Sequence, residues 1–264
     1  MQQLPQSVPA AYSPLIEQMK FYSEPNISCS RFFGMACFTG DSIAEYRSTG
    51  SIAALAFSGL GSYIAQHLQG GLFLDIPCGR FAFRDQQEDF DLIPLVARLG
   101  AARYWEVDID TDTLKDRLPR ATDIISNGTY QKIHATDSIG IRHECGLPIA
   151  TMQDDLLGFL TKFSDEDSQP KTIYISALQP DAGFCTTAEH QYIAVQYLTA
   201  VYDELARICK AGDLVIVNAG TMLIAGIDEM KFPAIHPALA LAARNFTLAR
   251  RCAFNKVQVF RKEQ

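Results

Sequence analysis

The chain has 264 residues, 48% of them hydrophobic and 20% charged, and carries a formal net charge of −7. That length buries a full core, as one large domain or one domain with an appendage, and the composition is that of an ordinary globular protein. The acidic balance argues against a duplex nucleic-acid partner, which needs a strongly basic face, and favours a small-molecule or protein substrate.

Residues 1–50 are punctuated by Pro5, Pro9, Pro14 and Pro25, and their aromatics (Tyr12, Phe21, Tyr22, Phe32, Phe33, Phe38, Tyr46) follow no clean period. An appendage of short helices and loops is expected there. From Ser51 to Gln69, apolar residues fall at helical spacing (Ile52, Leu55, Ala56, Leu60, Tyr63, Ile64, Leu68), and Gly70-Gly71 ends the run. Leu72 to Leu74 reads as a strand, Phe90 to Leu99 as a helix, Tyr104 to Val107 as a second strand and Thr111 to Leu118 as a helix. A polar segment from Pro119 to Leu147 follows, then a third strand at Pro148 to Met152 with Asp154-Asp155 at its end. Thr172 to Ser176 is a fourth strand. Thr186 with Glu189 three residues on reads as a capping box, opening a helix with Ile193, Tyr197, Val201, Leu205 and Ile208 on one side and Gly212 as its left-handed close. Leu214 to Val217 is a fifth strand, and Lys256 to Arg261 alternates as a half-buried antiparallel strand suits.

Strands alternating with helices imply a doubly wound α/β fold whose parallel sheet is covered on both faces. Ligands in such sheets sit beyond the carboxyl ends of the strands, where strand order reverses. Asp75, Asp108, Asp155 and Ser176 all fall at those ends. The run Leu72-Phe73-Leu74-Asp75-Ile76-Pro77-Cys78-Gly79 enters a glycine turn, the usual means by which a backbone approaches a nucleotide. Asp108, ending the second strand, is suited to accept hydrogen bonds from ribose hydroxyls, with Asp110 as competitor or helix cap. Together these segments suggest an adenosine-containing cofactor.

The seven cysteines (Cys29, Cys37, Cys78, Cys145, Cys185, Cys209, Cys252) are scattered and include no Cys-x-x-Cys pair, which fits reduced thiols better than disulfides or a zinc site. His134, His143, Cys145 and His190 lack a second pair at ligand spacing, so no metal is expected. Met1 to Ala11 has neither a basic region nor a continuous apolar stretch, so a secretory leader is not expected. The longest apolar run, Leu214 to Ile227, is interrupted by Asn218, Gly220 and Thr221 and is too short for a membrane span. A cytoplasmic protein without a membrane partner is the expectation.

The residues from about 70 to 264 resemble the class I S-adenosylmethionine-dependent methyltransferases, with residues 1–69 as an N-terminal helical appendage. Leu72–Gly79 is similar to that family's first motif in its Asp-x-Pro-Cys-Gly form, and Asp108 matches its ribose-binding acid. Gln153-Asp154-Asp155-Leu156 is similar to the step that contacts the adenine ring, Ser176 follows the fourth strand, and Ala206 to Leu214 resembles the helix end and glycine turn before the fifth. The resemblance implies a Rossmann-like, mostly parallel seven-stranded sheet with an antiparallel C-terminal strand. It implies S-adenosyl-L-methionine as cofactor, held by Asp75, Pro77, Cys78, Gly79, Asp108, Ile109, Asp154, Asp155, Leu156 and Ser176.

Two positions depart from that pattern. Phe81 stands where the family has a further glycine, and its ring would crowd the cofactor's methionine portion unless the turn is rebuilt. The span from Asp75 to Asp108 exceeds the usual ~20 residues, with the extra ones around Arg84 to Asp91. For each candidate a plainer role also stands: Asp75 as a turn cap, Cys78 as a small buried apolar residue, Asp154 and Asp155 as a helix cap. His190 and Tyr192 open the helix after the fourth strand and are candidates for a general base or for ordinary helix surface. The resemblance implies methyl transfer, and Ser176-Ala177-Leu178-Gln179-Pro180 lacks the Asn/Asp-Pro-Pro-Tyr/Phe run of amino-methylating members, which favours a small-molecule acceptor. Competing readings are a methyltransferase fold that binds a partner without catalysis, and a nicotinamide-dependent oxidoreductase, for which Gly79 alone falls short of Gly-x-Gly-x-x-Gly. Residues 1–50 could serve as a lid, a homodimer contact or plain packing.

Overall fold

A computed structural model describes residues 12–19, 60–76, 92–109, 138–163, 169–176, 187–218, 231–251 and 257–264. Its strands are β1 (Leu72–Asp75), β2 (Arg103–Asp108), β3 (Ser138–Glu144), β4 (Leu147–Gln153), β5 (Lys171–Ser176), β6 (Leu214–Asn218), β7 (Phe246–Arg251) and β8 (Gln258–Lys262). They form one sheet in the order β3-β4-β2-β1-β5-β6-β8-β7. The central five, β4-β2-β1-β5-β6, are parallel. The flanking pairs β3–β4, β6–β8 and β7–β8 are antiparallel. From β1 in the middle, the described strands run outward through β2 to β4 and cross back to β5 beside β1. This is the doubly wound, Rossmann-like arrangement, with its switch point between β1 and β5.

Described helices are α1 (Ser13–Gln18), α2 (Leu60–Leu68), α3 (Leu92–Arg98), α4 (Leu156–Lys162), α5 (Ala188–Ile208) and α6 (Pro237–Ala242), with a 3-10 turn at Pro233–Ile235. The strands of the middle are apolar on both faces because helices cover both. Phe73, Tyr104, Tyr174 and Ile216 pack with Leu60, Ile64 and Leu68 of α2 and Leu92, Leu95 and Val96 of α3. Leu74, Trp105, Val107, Ile173, Ile175 and Val215 pack on the opposite face with Leu157 and Leu160 of α4 and Tyr197, Val201 and Leu205 of α5. Residues from α1 also join this second layer: Met19 is buried in it, and Leu15 and Ile16 pack against it.

Six strands, β1, β2, β4, β5, β6 and β8, stand where the sequence placed them, and the described sheet has eight strands instead of the seven implied. Unforeseen β3 lies within the polar segment 119–147 and pairs with β4 through a turn at Cys145-Gly146, both in the left-handed region (φ 51° and 80°). Antiparallel β7 was also not foreseen, since its residues alternate poorly: Thr247, Leu248, Arg250 and Arg251 are all exposed. The expected capping box is a simple threonine cap instead, with His190 where the box would need Glu or Gln. Thr187, not Thr186, caps α5, accepting from the His190 N–H at 3.2 Å. Nor does Gly212 close that helix directly: α5 ends at Ile208 with an extended cap at Cys209, and Gly212 (φ 94°) sits in the turn that follows. The expected helix at Thr111–Leu118 lies outside the described residues.

Both outermost strands carry an irregularity in their ladders, between Ser138 and Gly140 on β3 and between Leu248 and Arg250 on β7.

Candidate functional site

Parallel pairing aligns the carboxyl ends of β4, β2, β1 and β5. In register, Asp75 of β1 lies between Glu106 of β2 and Tyr174 of β5, and Glu106 lies next to Thr151 of β4. Asp75 and Glu106 are 1% and 0% exposed. Carboxyl groups so deep require donors, and strand neighbours supply them. The Tyr104 hydroxyl donates to Asp75 Oδ2 at 2.6 Å, and the Thr151 hydroxyl donates to Glu106 Oε1 at 2.5 Å.

One pleat nearer the strand ends, Asp108 pairs in register with Gln153. Asp108 is buried, while the next residue, Ile109, is 46% exposed and one of the few large apolar side chains open to solvent among the described residues. Gln153 Nε2 approaches the Ile109 carbonyl at 3.4 Å, and the Asp154 N–H donates to the Asp108 carbonyl at 3.0 Å. The ends of β2 and β4 are therefore stitched together, with an acid and an apolar side chain adjacent at the edge. Such a pair can offer acceptors to hydroxyl groups and an apolar wall to a flat ring.

Asp154 and Asp155 divide their work. Asp155 is the N-cap of α4: its Oδ1 accepts from the N–H groups of Leu157 at 2.9 Å and Gly158 at 3.1 Å. Its Oδ2 accepts from the hydroxyl of Tyr197 on α5 at 2.8 Å. Burial pushes the Asp155 carboxyl above its ordinary value, against the pull of these three donors, and burial also pushes the Tyr197 phenol well up, helped by the neighbouring carboxylate. Asp154 accepts from the Asp155 N–H at 2.9 Å and pairs with Lys162 at 2.9 Å, leaving its side chain 12% exposed. Leu156 is buried in the α4/α5 layer.

Ser176 closes β5, opposite Asn218 of β6. His190 occupies the first turn of α5, partly buried, whereas Tyr192 is 62% exposed on the same helix. Pro77, Cys78, Gly79, Phe81 and Asp110 lie outside the described residues, as does His134. Cys145 is exposed at the β3–β4 turn, far along the sheet order from β5. Among the described residues, no three His, Cys, Asp or Glu side chains assemble as metal ligands. No helix among them is long and apolar enough to cross a membrane.

Three supporting side chains were not singled out for these roles by the sequence: Tyr104, Thr151 and Tyr197. Tyr197 does stand on the apolar stripe of α5, but nothing local announces that its hydroxyl meets a carboxylate 42 residues away.

No family model matches the sequence, and no curated protein matches it. Solved structures are similar at low identity. The precorrin-6y C5,15-methyltransferase of Geobacter metallireducens shares 10% identity over 79% of this chain and 91% of its own, with a TM-score of 0.41. The ribosomal protein L11 methylase of Lactobacillus delbrueckii shares 15% over 78% and 77%, at 0.39. A TehB-like SAM-dependent methyltransferase of Corynebacterium glutamicum shares 13% over 83% and 96%, at 0.38. Likeness at this level carries neither a function nor a site residue to this chain, whose own strand order and side chains bear the weight.

Proposed function

We propose that this chain is an S-adenosyl-L-methionine-dependent methyltransferase acting on a small-molecule acceptor. The observation that carries the proposal is the adjacency of three acid-bearing strand ends, Asp75 on β1, Asp108 on β2 and Asp154-Asp155 after β4, beside the switch point of a doubly wound sheet. Nucleotide-like ligands bind at that position in such sheets. Asp108 is assigned to the ribose hydroxyls, Ile109 to one face of the adenine, and the Asp154–Leu156 turn to its edge. Asp75, held by Tyr104, and Pro77, Cys78 and Gly79 of the same sequence motif are assigned to the cofactor.

The cofactor supplies, when bound, an electrophilic methyl group on a sulfonium centre. The protein's share is to bind and orient the two reactants and to exclude water from them. His190, in the first turn of α5 beyond β5, is assigned to the acceptor side as a candidate base. The exposed Tyr192 is the weaker of the two helix residues for that role. The net charge of −7 supports an acceptor other than duplex nucleic acid. Residues 70–264 form the binding domain in this reading, and residues 1–69 its appendage.

Calorimetric titration with S-adenosylhomocysteine, beside NADH, tests the reading. Micromolar binding of the adenosyl ligand, weakened about tenfold or more in Asp108→Ala, is expected, since a lost charge-assisted hydrogen bond is worth roughly 1.5–3 kcal/mol. Binding of NADH alone would transfer the site to an oxidoreductase.

A further inference from the structure

Helix α4 has seven residues, too few to persist in water on its own propensity. Both of its ends are held by the 21-residue α5. At the amino end, the Tyr197 hydroxyl donates to Asp155 Oδ2 at 2.8 Å and accepts from the Leu157 N–H at 3.3 Å. At the carboxyl end, Arg207 Nη2 donates to the Leu160 carbonyl at 2.7 Å, with the Thr161 and Phe163 carbonyls at 3.4 Å. Residues 197 and 207 are roughly 15 Å apart along a helix axis, against about 10 Å for the length of α4, so the clamp spans the whole short helix.

A tyrosine wholly within a core is costly unless its hydroxyl is bonded, and phenylalanine would fill the same volume without that demand. Here the hydroxyl meets the one carboxylate that caps α4. Asp155, in turn, has both oxygens engaged inside the protein. We propose that Tyr197 is a positioning residue for the adenine edge: acting through Asp155, it fixes the Asp154–Leu156 turn against the ends of β2 and β4. Asp155 then serves by capping, and the turn it holds, with Asp154, meets the ligand. This rests on the methyltransferase reading above.

The test compares S-adenosylhomocysteine with its inosine counterpart, which lacks the exocyclic amino group, by calorimetry on the full chain. The unaltered protein should prefer the adenosyl ligand by about tenfold or more, the effect of one unpaired buried polar group. Tyr197→Phe should bind the adenosyl ligand about tenfold more weakly and lose most of that preference, while its affinity for the inosine ligand changes little. A purely structural role would lower the melting temperature and leave the ratio of affinities intact, and an intact ratio overturns the proposal. An unaltered protein that binds neither compound would sink the methyltransferase reading and this proposal with it. A protein that discriminates, and does so equally well as Tyr197→Phe, removes only the positioning role.

Discussion

Tyr104 and Asp75 meet across two neighbouring strands, the phenol donating to the carboxylate at 2.6 Å with both side chains buried. Tyr104 also stacks on Phe73 at 5.6 Å between ring centroids, a contact that phenylalanine would keep. Tyr104→Phe therefore removes the donor alone. A loss of about 1–3 kcal/mol in unfolding free energy is expected by urea denaturation, the cost of a buried acceptor losing a bond. Because Asp75 is one of the acids proposed to hold the cofactor, affinity for S-adenosylhomocysteine should fall in the same variant.

At the opposite end of the sheet, Lys171 opens β5 and pairs with Asp213 at 2.8 Å, both nearly dry. Asp213 also accepts from the N–H groups of Lys171 at 2.9 Å and Lys210 at 2.8 Å, closing the turn that contains Gly212. Lys171→Met strands a buried carboxylate and should cost about 3–5 kcal/mol, whereas Lys171→Met with Asp213→Leu should recover part of it. Cofactor binding by the folded fraction should be unchanged, since this pair lies at the amino ends of the strands. Chemical denaturation and calorimetry on the same samples check both statements.

Burial raises the Asp155 carboxyl above its ordinary value of 3.8, so the folded protein holds that proton more tightly than the unfolded chain. The group's contribution to stability is then complete below 3.8 and is lost as pH rises through the folded value. Asp155→Asn keeps the cap and removes the titration. Relative to the unaltered protein, the variant should gain stability as pH climbs from about 4 upward through the raised value, then hold a constant difference. Urea unfolding at a series of pH values gives the curve, and a variant that loses stability relative to the unaltered protein as pH rises would contradict it.

Arg207 joins the last carbonyls of α4 to Glu204, with Nε and Oε2 2.5 Å apart. Arg207→Ala should fray α4 and cost about 1–3 kcal/mol. The single tryptophan, Trp105, lies under that helix, 6.3 Å from the Phe159 ring and 5.6 Å from the Phe163 ring. Its emission should shift to the red in the variant, and an unchanged spectrum would mean that α4 is held by its apolar face alone.

The sequence discloses the parts of this fold that carry their own signal. β1 is four apolar-to-acid residues bounded by glycines, and α5 is a long stripe with a threonine cap, so both are legible within one residue or two. β3 and β7 are not, because an edge strand faces solvent on much of its surface and its alternation blurs. The acids at the strand ends are legible as a set, since each terminates an apolar run. Their partners are another matter. Tyr197 with Asp155, and Lys171 with Asp213, are 42 residues apart in each case. A tyrosine on an apolar stripe and a lysine before a strand look the same whether or not they meet an acid. Only tertiary packing tells the two cases apart.

The broken ladders of β3 and β7 have a consequence for how the molecule behaves in a crowd. A sheet with a straight, unpaired rim is a template on which a strand from another molecule can lay itself down. Here each rim is kinked by a slipped register, and β7 adds two exposed arginines, Arg250 and Arg251, just past its slip. Among the described strands, these slips and charges make both rims poor templates for a further strand.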